Sequence, residues 1–136
     1  MTLTFWDNSD EVKAIIEAIG IAWLHEASGE MESQVKRNTR VDTSRTKESW
    51  DYKVDEGRQV ATIGSPKQNA IWEEFGTGIH ASKGDGRKTP WAYQDPETGE
   101  WIWTNGNTAT HVFQKAYKLV KPKAIKELER RLKGLN

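Results

Sequence analysis

Three histidines, one pair of adjacent glutamates and one glycine-basic run are the residues of this 136-residue chain best suited to chemistry. His25, His80 and His111 fall in different segments, and none stands in the HExxH spacing that sets two imidazoles on one helical face around a metal. His80 and Asp85 share a glycine-rich stretch, but one imidazole and one carboxylate do not make a ligand set. Glu73-Glu74 has the chemistry of a general base, although neighbouring carboxylates on a helix ordinarily face water. Gly86-Arg87-Lys88-Thr89 echoes the end of a phosphate-binding loop. It lacks the earlier glycine, Arg87 separates Gly86 from Lys88, and no buried strand precedes it. There is no GxSxG elbow. The absence of cysteine excludes disulfides, thiolate zinc sites and a cysteine nucleophile. The residues therefore predict no enzyme, no metal and no cofactor. A hydrolase using Glu73, Glu74 or His80 is the weakest of three functional classes.

Charge is more informative. Twenty basic and twenty acidic residues cancel, but they are segregated. Residues 1–34 carry Asp7, Asp10, Glu11, Glu17, Glu26, Glu30 and Glu32 against Lys13. Residues 111–136 carry Lys115, Lys118, Lys121, Lys123, Lys126, Arg130, Arg131 and Lys133 against Glu127 and Glu129. Two oppositely charged helix faces that attract each other within one subunit would produce this pattern. So would a subunit with a negative and a positive side, suited to head-to-tail contacts in a ring, with Lys126, Arg130, Arg131, Glu26 and Glu30 on the assembly surface. A third source is a basic helix that works with the seven tryptophans as a nucleic-acid-binding module. No apolar run reaches the ~18–20 residues of a membrane span, so no membrane partner is expected. The first residues lack the basic and apolar regions of a signal peptide, which predicts maturation in a cytoplasm.

The elements that position these residues follow from periodicity. Asp7-Asn8-Ser9-Asp10-Glu11 reads as a helix start, with Asn8 as cap and Glu11 completing a capping-box arrangement. Val12, Ile15, Ile16, Ile19, Ala22, Trp23 and Ala27 form one apolar stripe, predicting a long buried-face helix to about residue 36, with a possible bend at Ser28-Gly29. Residues 37–46 show no apolar period. Trp50, Tyr52 and Val54 then alternate with polar residues, Asp55-Glu56-Gly57-Arg58 turns the chain, and Gln59–Ile63 returns it. Symmetric closure sets Tyr52 opposite Ala61 and Trp50 opposite Ile63. Gln68–Phe75 predicts two turns of helix, with Ile71, Trp72 and Phe75 on one face.

Gly76–Pro90 is expected to be a mobile loop, since structureless stretches of about 12–15 residues are uncommon in compact domains. A second hairpin turns at Asp95-Pro96-Glu97-Thr98-Gly99, and a five-residue turn there sets Tyr93 opposite Trp101 and Trp91 opposite Trp103, all four rings on one face. After Thr108 or Thr110 as cap, helical spacing runs from Val112 to Gly134, with Pro122 predicted to kink or break the helix near Val120-Lys121. The fold class expected is α+β: an antiparallel sheet built from two hairpins, packed against a long N-terminal helix and a kinked C-terminal helix, in one domain over 1–136.

Asn69-Ala70-Ile71-Trp72-Glu73-Glu74-Phe75-Gly76-Thr77-Gly78 resembles a family of bacteriophage neck proteins, the head–tail joining or tail-completion proteins of long-tailed phages and prophages. Thr43-Ser44-Arg45 with Ser49-Trp50, then Arg87, Pro90 and Trp91, Gly99-Glu100-Trp101, Thr104-Asn105-Gly106, and Phe113 with Ala116 extend the resemblance over residues 40–135. Ser44 stands where the family has Gly, Thr46 where it has an aliphatic residue, and Thr108-Ala109-Thr110-His111 replaces a proline-containing approach to Phe113. The resemblance implies a non-enzymatic virion protein without a cofactor, assembling with itself into a ring, six-fold in the family. It lies between the head connector or adaptor and the tail terminator or tail tube, touches DNA at most transiently in the channel, and is made in the bacterial cytoplasm. It also implies an interaction loop of Phe75, Gly76, Thr77, Gly78, His80, Lys83, Arg87 and Lys88.

Overall fold

The computed structural model describes residues 2–40, 44–95 and 98–135. The elements in chain order are α1 (Ser9–Asn38), α2 (Ser44–Glu48), β1 (Asp51–Asp55), β2 (Val60–Gly64), α3 (Gln68–Phe75), β3 (Trp91–Gln94), β4 (Trp101–Thr104) and α4 (Val112–Lys133). The α+β class, the two antiparallel hairpins and the long helices at either end are as expected. Each hairpin forms its own two-stranded sheet.

Helix α1 is continuous through Ser28-Gly29, and its acidic first turn and basic last turn both favour the helix dipole. Its start differs from the expectation. Asn8 occupies the cap position at φ −109° and ψ 20°, away from the extended backbone that turns a side chain back onto the helix, and makes no side-chain cap bond. The Asp7 carboxylate accepts the Ser9 amide instead, at 2.9 Å, and bonding to Ser9 holds its pKa below the usual carboxylate value.

The core is small and lies where the second half of α1 crosses the first half of α4. Met31 and Val35 of α1 meet Val112, Ala116 and Val120 of α4, with Trp50 and Ala70 completing the buried set. Trp50 precedes β1, packs its ring against Phe113, and donates its indole N–H to Thr39 Oγ1 at 3.1 Å. By contrast, Val12, Ile15 and Ile16, expected on a buried stripe, are exposed. The stripe is real, but α4 does not extend far enough to cover it. Helix α2 arises in the stretch that shows no period, with Thr46 buried and its carbonyl accepting the Ser49 amide and hydroxyl. Thr43 lies outside the described residues.

Both hairpin registers differ from the sequence expectation, for a local reason. In the first, Tyr52 pairs with Ile63 and Val54 with Ala61. The Asp55 carboxylate accepts the Arg58 amide at 3.0 Å and Gln59 takes a left-handed φ of 54°, so the turn centre moves one residue onward. That shift keeps Tyr52, Val54, Ala61 and Ile63 on one face, which packs on α1 beside His25 and Gly29.

In the second hairpin Trp91 pairs with Thr104, Ala92 with Trp103, Tyr93 with Ile102 and Gln94 with Trp101. The four aromatics do not share a face. Asp95 belongs to the ladder: its amide bonds the Glu100 carbonyl, and its own carbonyl accepts the Gly99 amide, with Gly99 at φ 74°. The turn is thus one residue shorter than expected, and an odd shift moves the β4 side chains to the opposite face. Pro96 and Glu97 of that turn lie outside the described residues.

Helix α4 runs unbroken through Pro122, so the proline does not divide it. Toward its end Glu127 accepts hydrogen bonds from Arg130 and Arg131, and Arg131 also pairs with Glu26 on α1. Bonding to Arg130, then Arg131, lowers the Glu127 pKa from 4.5 to about 2. A carboxylate depressed in the folded state contributes stability above its unfolded pKa and loses it as pH falls through the folded one. The stability difference between the natural chain and Glu127→Gln should therefore hold at neutral pH and close between 4.5 and about 2. Urea titrations across that range read it.

Candidate interaction site

The adjacent glutamates face the protein interior. Glu73 is 7% exposed. Its carboxylate accepts the Thr110 hydroxyl at 2.9 Å and lies 3.5 Å from Arg40 Nε, while its backbone carbonyl accepts the Thr110 and His111 amides. Glu74 accepts the amides of Phe113 at 2.7 Å and Gln114 at 3.3 Å, the first donors of α4. His111, at the α4 cap position, sits at φ 51° and makes no side-chain cap bond. Neither Thr108 nor Thr110 caps the helix. A carboxylate from α3 does so in their place, adding negative charge at the positive end of the dipole. Both glutamates are engaged in holding α3 to α4, which removes them from any role as a solvent-facing base. His80 is exposed.

Beyond α3 the chain forms a strap. Thr77 donates to the Asn107 carbonyl at 2.9 Å and Ile79 to the Asn105 carbonyl at 3.1 Å, while Thr77 Oγ1 accepts the Asn107 amide at 2.8 Å. Gly78–His80 makes one 3₁₀ turn. The close approach needs glycine on both sides: a Cβ on Gly78 would collide with the Asn105 carbonyl, and one on Gly106 with the Thr77 carbonyl. Ser82 donates back to the Phe75 carbonyl at 2.8 Å. Farther along, Lys83 Nζ lies 4.6 Å over the Phe75 ring and Arg87 5.7 Å over Trp91. Lys88 bonds the Gly84 carbonyl. The first half of the stretch expected to be mobile is thus tied to the segment after β4, and Lys83 and Arg87 lie on neighbouring aromatics.

Large apolar side chains remain in water. Trp101 is 68% and Trp103 74% exposed, on a hairpin face shared with Ala92 and Gln94. That face holds no base among its four residues, unlike a surface that stacks bases and neutralises phosphates. Ile71, Trp72 and Phe75 of α3 are also exposed. Of the residues expected on an assembly surface, Glu26 and Arg131 pair within the subunit, and Arg130 bonds Glu127. Lys126 and Glu30 are exposed. Open grooves between α1 and α4, about 210 and 580 Å³, are lined by Glu26, Glu30 and Lys123 among others. Among the described residues no group of three or more His, Cys, Asp or Glu is placed to hold a metal, and no helix is long and apolar enough to cross a membrane.

A family model described as "Bacteriophage HK97-gp10, putative tail-component" matches residues 5–76, slightly more than half of the chain. The chain belongs to this family. No curated protein and no solved structure matches it. The HK97-gp10-like match spans α1, α2, the first hairpin and α3, and so makes the chain a phage tail component by family. It ends at Gly76, where the strap begins. Besides the core packing of α1 on α4, the matched segment is held to the remainder by Glu73 and Glu74 on the start of α4, just inside its end.

Two substitutions test this geometry. Glu74→Ala should lower stability by about 1–2 kcal/mol, the range for a lost helix cap, shifting the urea midpoint with little change in slope. Gly78→Ala should cost about 1–3 kcal/mol by overpacking and speed amide exchange at Thr77 and Ile79.

Proposed function

We propose that this chain is a structural protein of the phage neck, a single-domain subunit that assembles as a ring and joins the DNA-filled head to the tail. Its neighbours would be the head connector or adaptor on one side and the tail terminator or tail tube on the other, with its place in the finished virion. Membership of a tail-component family supports the coarse reading. The observation that carries the finer one is the Trp101–Trp103 face: two large rings left in water on a hairpin whose short turn fixes their direction. Tryptophan is prominent among the residues that dominate protein interfaces, and an exposed pair on a rigid sheet is suited to docking.

The strap favours the same reading. Residues 76–82 hold the segment after β4 at a fixed height through backbone bonds, so the aromatic face is presented by a braced element. The glutamates, the strongest candidates for a catalytic role, serve packing instead.

Particles made without the chain should accumulate as separate full heads and finished tails in electron micrographs. Normal virions in its absence would overturn the proposal. Trp101→Ala with Trp103→Ala should leave the fold intact by circular dichroism and lower infectious titre at least about tenfold, since a buried interface tryptophan contributes roughly 2 kcal/mol or more.

A further inference from the structure

The face that α1 turns toward α4 does not stop where α4 stops. Val12, Ile15, Ile16, Ile19 and Trp23 share one helical face at spacings of three, four and seven. Trp23 donates its indole N–H to the Ala124 carbonyl of α4 at 2.6 Å. Arg131, two residues from the end of α4, pairs with Glu26, seventeen residues into α1. The helices run antiparallel, since Asn38 at the other end of α1 bonds Val112. The first three turns of α1 therefore continue past the end of α4 with Val12, Ile15 and Ile16 exposed, led by an arm on which Phe5 is 88% and Trp6 90% exposed.

Helix α4 carries a second apolar stripe that the core does not use. Val112, Ala116 and Val120 face inward, whereas Tyr117, Ile125 and Leu132 recur at helical spacing on another side and are exposed, with Lys121 Nζ 5.3 Å over the Tyr117 ring. The two uncovered stripes are opposite in charge. Asp7, Asp10, Glu11 and Glu17 surround the first against Lys13, while Lys118, Lys121 and Lys126 flank the second. Among the described residues, Asp10, Glu11, Glu17, Lys118 and Lys126 have no ion-pair partner.

We propose that these two stripes are the two halves of one contact between copies of this chain: the acidic, apolar start of α1 seats on the basic, apolar outer face of α4 of the next subunit. Each copy presents a different patch on each side, the heterologous arrangement that generates a ring when the rotation closes. The neighbour's α4 thereby covers the stripe that the subunit's own α4 leaves open. This inference rests on the ring assembly proposed above, and it moves the contact away from Glu26 and Arg131, which pair within the subunit.

The chain has no cysteine, so introduced thiols report directly. Particles carrying Ile15→Cys with Ile125→Cys, mildly oxidised, should give a ladder of disulfide-linked multimers, and either substitution alone should give monomers. Dimers from Ile15→Cys alone or Ile125→Cys alone would mean a self-complementary contact and overturn the proposal. Monomers throughout, from particles that contain the chain, would place another protein on the stripes and overturn it while leaving the neck role standing. Natural chain missing from purified particles would overturn the neck role itself. Where the cysteine variants fail to incorporate, charge reversal decides. Asp10→Lys with Glu11→Lys, and Lys118→Glu with Lys121→Glu, should each lower titre about tenfold or more, equivalent to about 1.4 kcal/mol, and together restore it. Absence of rescue would overturn the contact.

Discussion

Helix α4 begins where its own sequence cannot start a helix well. His111 is held in a left-handed backbone conformation, the residues before it give no side-chain cap, and the first turn contains no acid. The exposed amides of that turn must find acceptors or lose stability. Glu74 supplies both carboxylate oxygens to them, and the Glu73 carbonyl takes the two amides just before. This polar clamp fixes where α4 starts and how it leaves α3. Through that it fixes which residues of α4 reach Met31 and Val35.

The clamp explains why so small a core suffices and why so much apolar surface stays outside. Among the described residues, seven hydrophobic side chains are buried. α4, started at Val112 by the clamp, meets α1 from Asn38 back to Trp23, and Val12, Ile15 and Ile16 stay exposed. Among the described residues, the front of α1 and the outer face of β4 then have no element to lie on. Contiguous apolar surface left in water is characteristic of interaction sites, in line with the assembly role proposed above.

The helices α1, α3 and α4 and both hairpins, though not the short α2, were legible from periodicity, because helical and strand spacing survive whatever the tertiary partner is. The directions of the side chains were less so. In the second hairpin one residue decided the face: whether Asp95 belongs to the turn or to the ladder depends on its backbone bonds to Glu100 and Gly99, which composition does not reveal. The glutamates misled for a tertiary reason. Ile71, Trp72 and Phe75 look like the buried face of α3, yet they are exposed, because the need for acceptors at the start of α4 turns the opposite face inward. Thr108 and Thr110, both capping types, pointed to a local cap, and only the lack of an acid in the first turn of α4 hinted that the cap comes from elsewhere. The opposed charges of the two long helices were equally visible. Arg131 and Glu26 satisfy the intrasubunit reading of them, whereas the acids at the front of α1 have no ion-pair partner among the described residues.

The family match ends at Gly76, but the fold cannot end there. Without α4, Met31, Val35, Trp50 and Ala70 would lose the three buried residues they pack against. Glu73 would lose its hydroxyl partner on Thr110, leaving a carboxylate turned inward with less to compensate its desolvation. The matched segment thus carries a requirement for something placed as α4 is, whatever its sequence. In this chain Thr110 is the residue that meets the requirement. Its hydroxyl and amide both bond Glu73, so polar bonding fixes the path into α4.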